Sequence, residues 1–411
     1  MDHCFTMTGI GTLGTFFVFC VGLASSGTSF DPQELARQNL RKLALANNEM
    51  AFNLHRNLVS KSSMNVFFSP LSISIALGML FYGTRGDTAK ELRKALGYEK
   101  EDLSSNLVHV TFYHFLREIV SSTDSSGYVL NVANAVLVDK RFELLERYRN
   151  DVTVLYDAVV QNLDFSMKTP EIVEAINSWI RKNTNSKIDK LFDDLSPSTL
   201  MVLLNAIYFK GTWKTQFDPK QTTGGIFFNN GLESEGRNVS LMHMTSSFHY
   251  DSTDNYQVLE LPFSGGKISM LIFLPNKRDG LYSLEESLTP EKLAKIQESL
   301  EENKVNVFLP KFKLDFDKEL SGEIQALGVN HIFSADGDFY GMSPSTGIFV
   351  SGIHHKAVIE VNEEGSEAAA VTGNIVLKMK SPHFRADHPF LFAIVEKSCN
   401  AILFMGRVNN L

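Results

Sequence analysis

Leu43, Ala46, Met50, Leu54 and Leu58 recur at steps of three and four, which places them on one buried face of a helix. Asp31-Pro32-Gln33-Glu34 ahead of them reads as its start, with Asp as the cap, Pro at the first helical position and Glu reaching back. Pro170 followed by Ile172, Ile176 and Trp179 predicts a further helix. Strand patterns interleave with these helices and dominate after residue 200. Residues 128–138 and 202–209 are apolar on both faces, as in central strands covered on each side. Val305, Val307 and Leu309, then Phe312, Leu314 and Phe316, alternate with polar residues and predict half-exposed strands separated at Pro310. Helices early, strands later and no strict βαβ alternation predict an α+β architecture with several antiparallel or mixed sheets. No repeat, long charge run or Pro/Ser-rich linker divides the chain, so one continuous domain is expected from residue 27 to 411.

Composition narrows the picture. The 411 residues are 44% apolar, which is enough to fold, and 39 basic against 47 acidic side chains argue against nucleic acid as a partner. The run over residues 10–23 is apolar or small, and Gly22, Ala24 and Ser26 supply small residues for a cleavage site. Residues 1–26 therefore read as a secretory signal peptide, although Asp2 and His3 stand where Lys or Arg is usual. The run is shorter than the roughly 20 residues that span a bilayer, so no membrane segment is expected. Removing it takes away Cys4 and Cys20 and leaves Cys399, in a turn-like Lys397-Ser398-Cys399-Asn400, as a free thiol without a catalytic role. Asn238-Val239-Ser240 is a glycosylation sequon in a chain expected to be secreted and extracellular.

Several motifs resemble chemistry without its context. Gly9-Ile10-Gly11-Thr12-Leu13-Gly14 spells a dinucleotide fingerprint but lies inside the signal-like segment with no strand before it. In Arg85-Gly86-Asp87 the glycine reads as a turn between two helices. His354 and His355, adjacent on a strand, point to opposite faces and cannot share a metal. H-E-x-x-H, G-x-S-x-G and paired cysteines are absent, so neither an enzyme nor a metal site is expected.

The segment 363–382 is a connection of about twenty residues, longer than ordinary loops. Its composition is apolar and small. Written with period two, Ser366, Ala368, Ala370, Thr372 and Val376 share one face, with Asn374 as the polar exception, while Glu367, Ala369, Val371, Gly373, Ile375 and Leu377 share the other. Such a loop can become a buried strand with its small side chains packed inward.

These features converge on a resemblance that covers the whole chain after the signal. Asn65 to Met79, with Ser69, Pro70 and Ser72, resembles the second-helix motif of the serpins, and Asn205 to Trp213 their central-sheet motif. His355-Lys356-Ala357-Val358 leads into a hinge like theirs, and Ala386-Asp387-His388-Pro389-Phe390 resembles the signature after their reactive loop. The hinge and Leu274-Pro275-Asn276-Lys277 are similar to secreted arthropod serpins, tick ones in particular. The resemblance implies helices around three mixed or antiparallel sheets and an exposed reactive-centre loop at about 363–385. It implies a suicide inhibitor that traps serine proteases as covalent acyl-enzymes by inserting the cut loop into the central sheet. It also implies a monomer able to form loop-sheet polymers, and a polar cluster of Ser69, Ser72, Asn205 and His355 that controls sheet opening.

The hinge would comprise Glu363, Glu364, Gly365, Ser366, Glu367, Ala368, Ala369, Ala370, Val371 and Thr372, none of which puts bulk or charge at the small inward positions. The family's usual spacing from Glu363 places the scissile bond between Met379 and Lys380, suiting an elastase-like or chymotrypsin-like pocket. A shift of one residue would put Lys378 or Lys380 before the bond and suit a trypsin-like enzyme. The other alternative is a non-inhibitory serpin acting as a carrier or storage protein. No cofactor is required; a glycosaminoglycan finds no support around residues 112–120, where Arg117 is the one Lys or Arg.

Overall fold

The computed structural model describes residues 31–60, 63–120, 127–166, 169–363 and 381–411. Helix α1 (Pro32–Val59) starts as its sequence predicts: the Asp31 carboxylate accepts the Gln33 N–H at 2.9 Å, with Pro32 in the first turn. Leu43, Ala46, Met50, Leu54 and Leu58 are all buried along one face. After the short strand β1 (Val66–Phe68) comes α2 (Pro70–Gly83), which is apolar almost throughout and correspondingly enclosed on all sides. Three more helices, α3 (Gly86–Ala95), α4 (Ser105–Val120) and α5 (Glu146–Tyr156), are threaded among the strands β2 (Tyr128–Asp139) and β3 (Val159–Leu163). Next come α6 (Thr169–Asn183), with the expected Pro170 in its first turn, and β4 (Met201–Gly211).

The later half is dominated by strands: β5 (Thr223–Phe228), β6 (Gly236–Ser252), β7 (Tyr256–Pro262), β8 (Ile268–Pro275), β9 (Glu301–Pro310) and β10 (Phe312–Glu319). They are followed by β11 (Gly352–Val361), β12 (His383–Arg385), β13 (Phe390–Glu396) and β14 (Ala401–Val408). The helices α7 (Leu281–Ser287), α8 (Pro290–Ser299) and α9 (Ser321–Ala326) are short. Among the described residues the strands form two hydrogen-bonded assemblies. One has the order β10-β11-β4-β2-β3; the other runs β1-β14-β13-β8-β7-β6-β9-β12, with β5 also on β6. The larger assembly is continuous because β6 is 17 residues long and pairs with β5, β9 and β7 along successive stretches. Helices packed on mixed sheets are the α+β architecture that the sequence pattern predicts.

Both faces of the five-stranded sheet are covered around the centre of β2 and β4, which explains why these strands are mostly apolar there, with Asn134 and Asn205 as buried exceptions. One face carries Ala133, Leu137, Val202 and Leu204 against Ile176 and Ile180 of α6. The opposite face packs toward the larger sheet, where Phe67 of β1 stacks on Phe404 of β14 at 5.3 Å and Phe404 meets Phe209 of β4 at 5.4 Å. This aromatic column ties the two sheets together. Phe67 is fully buried and also stacks on Phe392 at 5.9 Å, so Phe67→Ala is expected to cost about 3–5 kcal/mol, read as a lower urea midpoint with an unchanged slope.

Candidate functional site

The five-stranded sheet has a parallel seam at its centre, besides the parallel edge pair β2–β3. β11 runs parallel to β4 from Gly352↔Val202 to Ile359↔Phe209, while β10 and β2 flank the pair antiparallel. Directly across this seam lie His355 and Asn205. The Ser69 backbone N–H donates to His355 Nε2 at 3.2 Å, so the ring carries its proton on Nδ1 and donates it to Asn205 Oδ1. That oxygen also accepts from Ser72 Oγ at 2.7 Å. The Asn205 amide donates to the Ser72 carbonyl at 3.1 Å and to Asn134 Oδ1 at 2.6 Å. Ser69 Oγ accepts the Ser72 N–H at 3.2 Å and donates to the Leu403 carbonyl at 2.7 Å. Ser69 caps α2, and Pro70 after it fixes the first turn.

The four residues expected to cluster are thus in contact, and Asn134 of β2 joins them. Sequence reasoning passed over Asn134. The signal for it was an amide in a strand apolar on both faces, but only the β2–β4 register, which sets Asn134 opposite Asn205, makes that signal legible. All five residues are buried, and burial lowers the His355 pKa to about 3. The ring is therefore neutral in neutral solution. The network joins α2, β2, β4, β11 and β14 with both Asn205 amide donors in use.

Toward the end of the seam β4 stops at Gly211 and β11 at Val361. A cavity of about 120 Å³ opens there, lined by Trp213, Phe263 and Asn362 among others. Trp213 Nε1 donates to the Asn362 carbonyl at 2.9 Å. Glu363, buried at this point, accepts from Thr222 Oγ1 at 2.7 Å and pairs with Lys311 at 2.8 Å. Burial opposes its ionisation, but the hydrogen bonds from Lys311 and Thr222 hold its pKa below the usual range. The chain reappears in the other sheet: the Pro382 carbonyl accepts from the Asn306 N–H at 2.9 Å, and β12 then pairs parallel to β9. The segment between these anchors, including Glu364 to Thr372 of the hinge, Lys378, Met379 and Lys380, lies outside the described residues, as does the signal-like segment.

The remaining expected features fall as follows. His354 is half-buried against Phe192 with ring centroids 4.4 Å apart, while His355 faces the opposite side. Gly86 has φ of +54°, the left-handed turn expected of that glycine. The buried Cys399 thiol donates to Glu396 at 3.2 Å, and burial together with that carboxylate raises its pKa, so it is an inert thiol. Asn238 is exposed on β6. Among the described residues no cluster of three metal-ligating side chains occurs, and no helix is long and apolar enough to cross a membrane.

A mixed sheet with a central parallel seam, bridged by a buried polar cluster, defines a class of fold. Comparison with known proteins gives the class its name. The serpin (serine protease inhibitor) family model matches residues 45–411. Intracellular coagulation inhibitor 2 of the horseshoe crab Tachypleus tridentatus is 39% identical over 386 residues, covering 92% of this chain and 93% of that protein. Iripin-8 of the tick Ixodes ricinus is 37% identical over 391 residues, covering 92% and 96%. Among solved structures, human thyroxine-binding globulin in complex with its hormone is similar, with a TM-score of 0.82 and 32% identity over 90% of this chain and 99% of that one. The chain belongs to the serpin family, whose members named here include arthropod proteins, and it is not an enzyme.

Two outcomes are expected of the polar cluster. Asn205→Ala leaves His355 Nδ1–H, Ser72 Oγ–H and Asn134 Oδ1 without their shared partner, at a cost of about 3 kcal/mol or more; it lowers the melting temperature and speeds polymer formation on native gels. His355 takes up a proton below its usual pKa of about 6.5 in the unfolded chain, but only near 3 in the folded one. Its contribution is complete above about 6.5 and is lost as pH falls toward 3, by up to about 1.4 kcal/mol per unit. The stability difference between the native protein and His355→Gln should therefore shrink through that window in urea titrations.

Proposed function

We propose that the protein is a secreted suicide inhibitor of serine proteases, cut between Met379 and Lys380. The observation that carries this reading is the path of the chain at Glu363. β11 is one strand of the seam and leads through Asn362, Glu363 and Glu364 to the small residues from Gly365 onward, so a strand folding back from it would run antiparallel to both β11 and β4. Insertion would exchange one parallel ladder for two antiparallel ones, which are slightly more stable per residue. At about 1 kcal/mol net per hydrogen bond the gain is on the order of ten kcal/mol. About a dozen inserted residues at roughly 3.3 Å each would span some 40 Å, enough to carry a tethered protease from one end of the sheet toward the other.

The protease's own serine would attack the Met379 carbonyl and form the acyl-enzyme. For insertion to outrun deacylation the hinge must enter the sheet without resistance, and Ser366, Ala368 and Ala370 offer neither charge nor bulk. Release of Glu363 from Thr222 and Lys311 and separation of His355 from Asn205 would be the first steps. Methionine before the bond suits an apolar primary pocket, which favours elastase-like or chymotrypsin-like targets over trypsin-like ones. The signal-like residues 1–26 and the exposed Asn238 support secretion of a glycosylated form.

The test is incubation with elastase-like, chymotrypsin-like and trypsin-like proteases, followed by denaturing gels and mass spectrometry. A stable complex with a peptide beginning at Lys380 is expected; peptides beginning at Met379 or Ser381 would move specificity to Lys378 or Lys380. Ala370→Arg is expected to be cut at the same bond without forming a complex. Cleavage of the native protein with neither a complex nor a rise in melting temperature would defeat the inhibitory reading in favour of a carrier or storage role.

A further inference from the structure

Helices α3, α4 and α5 all begin around one cavity of about 490 Å³, where the end of α2 meets the segment near Tyr340. Their first turns contribute Gly86, Ser105, Asn106, Arg147 and Tyr148 to its lining. Neither α3 nor α5 has a side-chain cap: Arg85 and Leu145, at the capping positions, make no such bond to the first turn. The N–H groups of a helix start carry the positive end of its dipole, and three such ends facing one space favour a negative ligand.

Side chains reinforce this preference. Arg85 Nη1 donates to the carbonyls of Tyr82 at 3.0 Å and Thr84 at 2.6 Å, which fixes the guanidinium while its other N–H groups stay unspent. Gly341 makes room for it, since a Cβ there would lie 2.4 Å from Nη1. Arg147 lines the same cavity; its Nε contacts Asp151 at 3.4 Å and it lies beside the Tyr82 hydroxyl, which donates to the same carboxylate, so its charge is shared between Asp151 and the cavity. No Asp or Glu is among the lining residues. The acids nearby are Asp87, paired with Lys90, Glu146 in the first turn of α5, and Asp338, which accepts the Tyr340 N–H and has its Oδ2 3.1 Å from where a Cβ on Gly86 would lie.

The cavity also contains an unspent donor. His109 is only 4% exposed, and its single hydrogen bond is between Nδ1 and the buried Tyr156 hydroxyl. That hydroxyl has no other partner, so its proton goes to Nδ1 and the imidazole carries its own proton on Nε2. Nε2 is unpartnered in a residue that lines the cavity. Burial, and secondarily the charge of Arg85, lowers the His109 pKa to about 4, which keeps the ring a neutral donor. Tyr82 and Tyr340 supply flat walls, over the fully buried Tyr148.

We propose that this cavity binds a phosphate or sulfate monoester carried on a flat, ring-sized group. The oxyanion lies between Arg85, Arg147 and the helix starts, His109 Nε2–H donates to the ester, and the ring stacks on the tyrosines. The cavity is separate from the seam, and the proposal does not rest on the inhibitory reading.

Phenyl phosphate is the probe, titrated into the full-length protein by calorimetry and by NMR of the His109 imidazole. Saturable binding that shifts the His109 Nε2–H resonance is expected, tighter than that of inorganic phosphate. Arg147→Ala should weaken it about tenfold or more, as expected for loss of a charge-assisted pair. The Arg147 side chain is 87% exposed, so this variant should melt with the native protein. Arg85→Gln provides the second variant. No saturation by about 10 mM, unchanged affinity in both variants, or binding that leaves His109 unmoved would overturn the site. Inorganic phosphate binding as tightly as phenyl phosphate would overturn its preference for a flat group.

Discussion

The structure depends on a parallel pairing held shut by a buried amide. β4 and β11 are neighbours in the sheet although about 150 residues separate them in sequence, and nothing local holds them together. Parallel ladders are slightly weaker per residue than antiparallel ones, so the seam is the natural place for the sheet to part. Asn205 opposes that parting through His355 on the facing strand, Ser72 on α2 and Asn134 on β2. Opening the sheet strands each of these groups away from water, where an unmade hydrogen bond costs far more than a made one contributes. Any opening of the sheet would thus meet the cluster as a threshold more than as a bond.

That threshold is borne by α2. Its first turn contains the serines of the cluster, and its last turn meets the cavity shared by α3, α4 and α5. Fourteen residues at 1.5 Å each make a rod of about 21 Å. Because the helix is enclosed on all sides, neither end shifts without disturbing the packing against both sheets. A helix apolar around its whole circumference is the sequence signature of such a part.

Much of this was legible in the chain. The start of α1 at Asp31, the helix at Pro170, the covered strands β2 and β4, and the half-exposed pair β9 and β10 all follow from spacing and alternation. These signals are local and survive folding unchanged. What remained hidden depends on register between distant segments. Asn134 was passed over because its partner is 71 residues away, and the Thr222 and Lys311 contacts of Glu363 because three separate stretches meet there. The continuity of the larger sheet was hidden too, since it arises from the length of β6. Ser69, Ser72, Asn205 and His355 were found together only through family resemblance; their spacing alone would not have joined them.

One consequence concerns chain connectivity. β13 and β14 lie inside the larger sheet, between β8 and β1, with every residue buried. They are joined to the rest of the chain through residues 364–380, yet they are held by ladders on both sides and by the Phe67–Phe404 stack. A break in that segment would divide the polypeptide without dividing the fold. The two pieces would stay together as a complemented pair under native conditions and separate only on denaturation, since the ladders and the aromatic stack do not depend on continuity of the chain there.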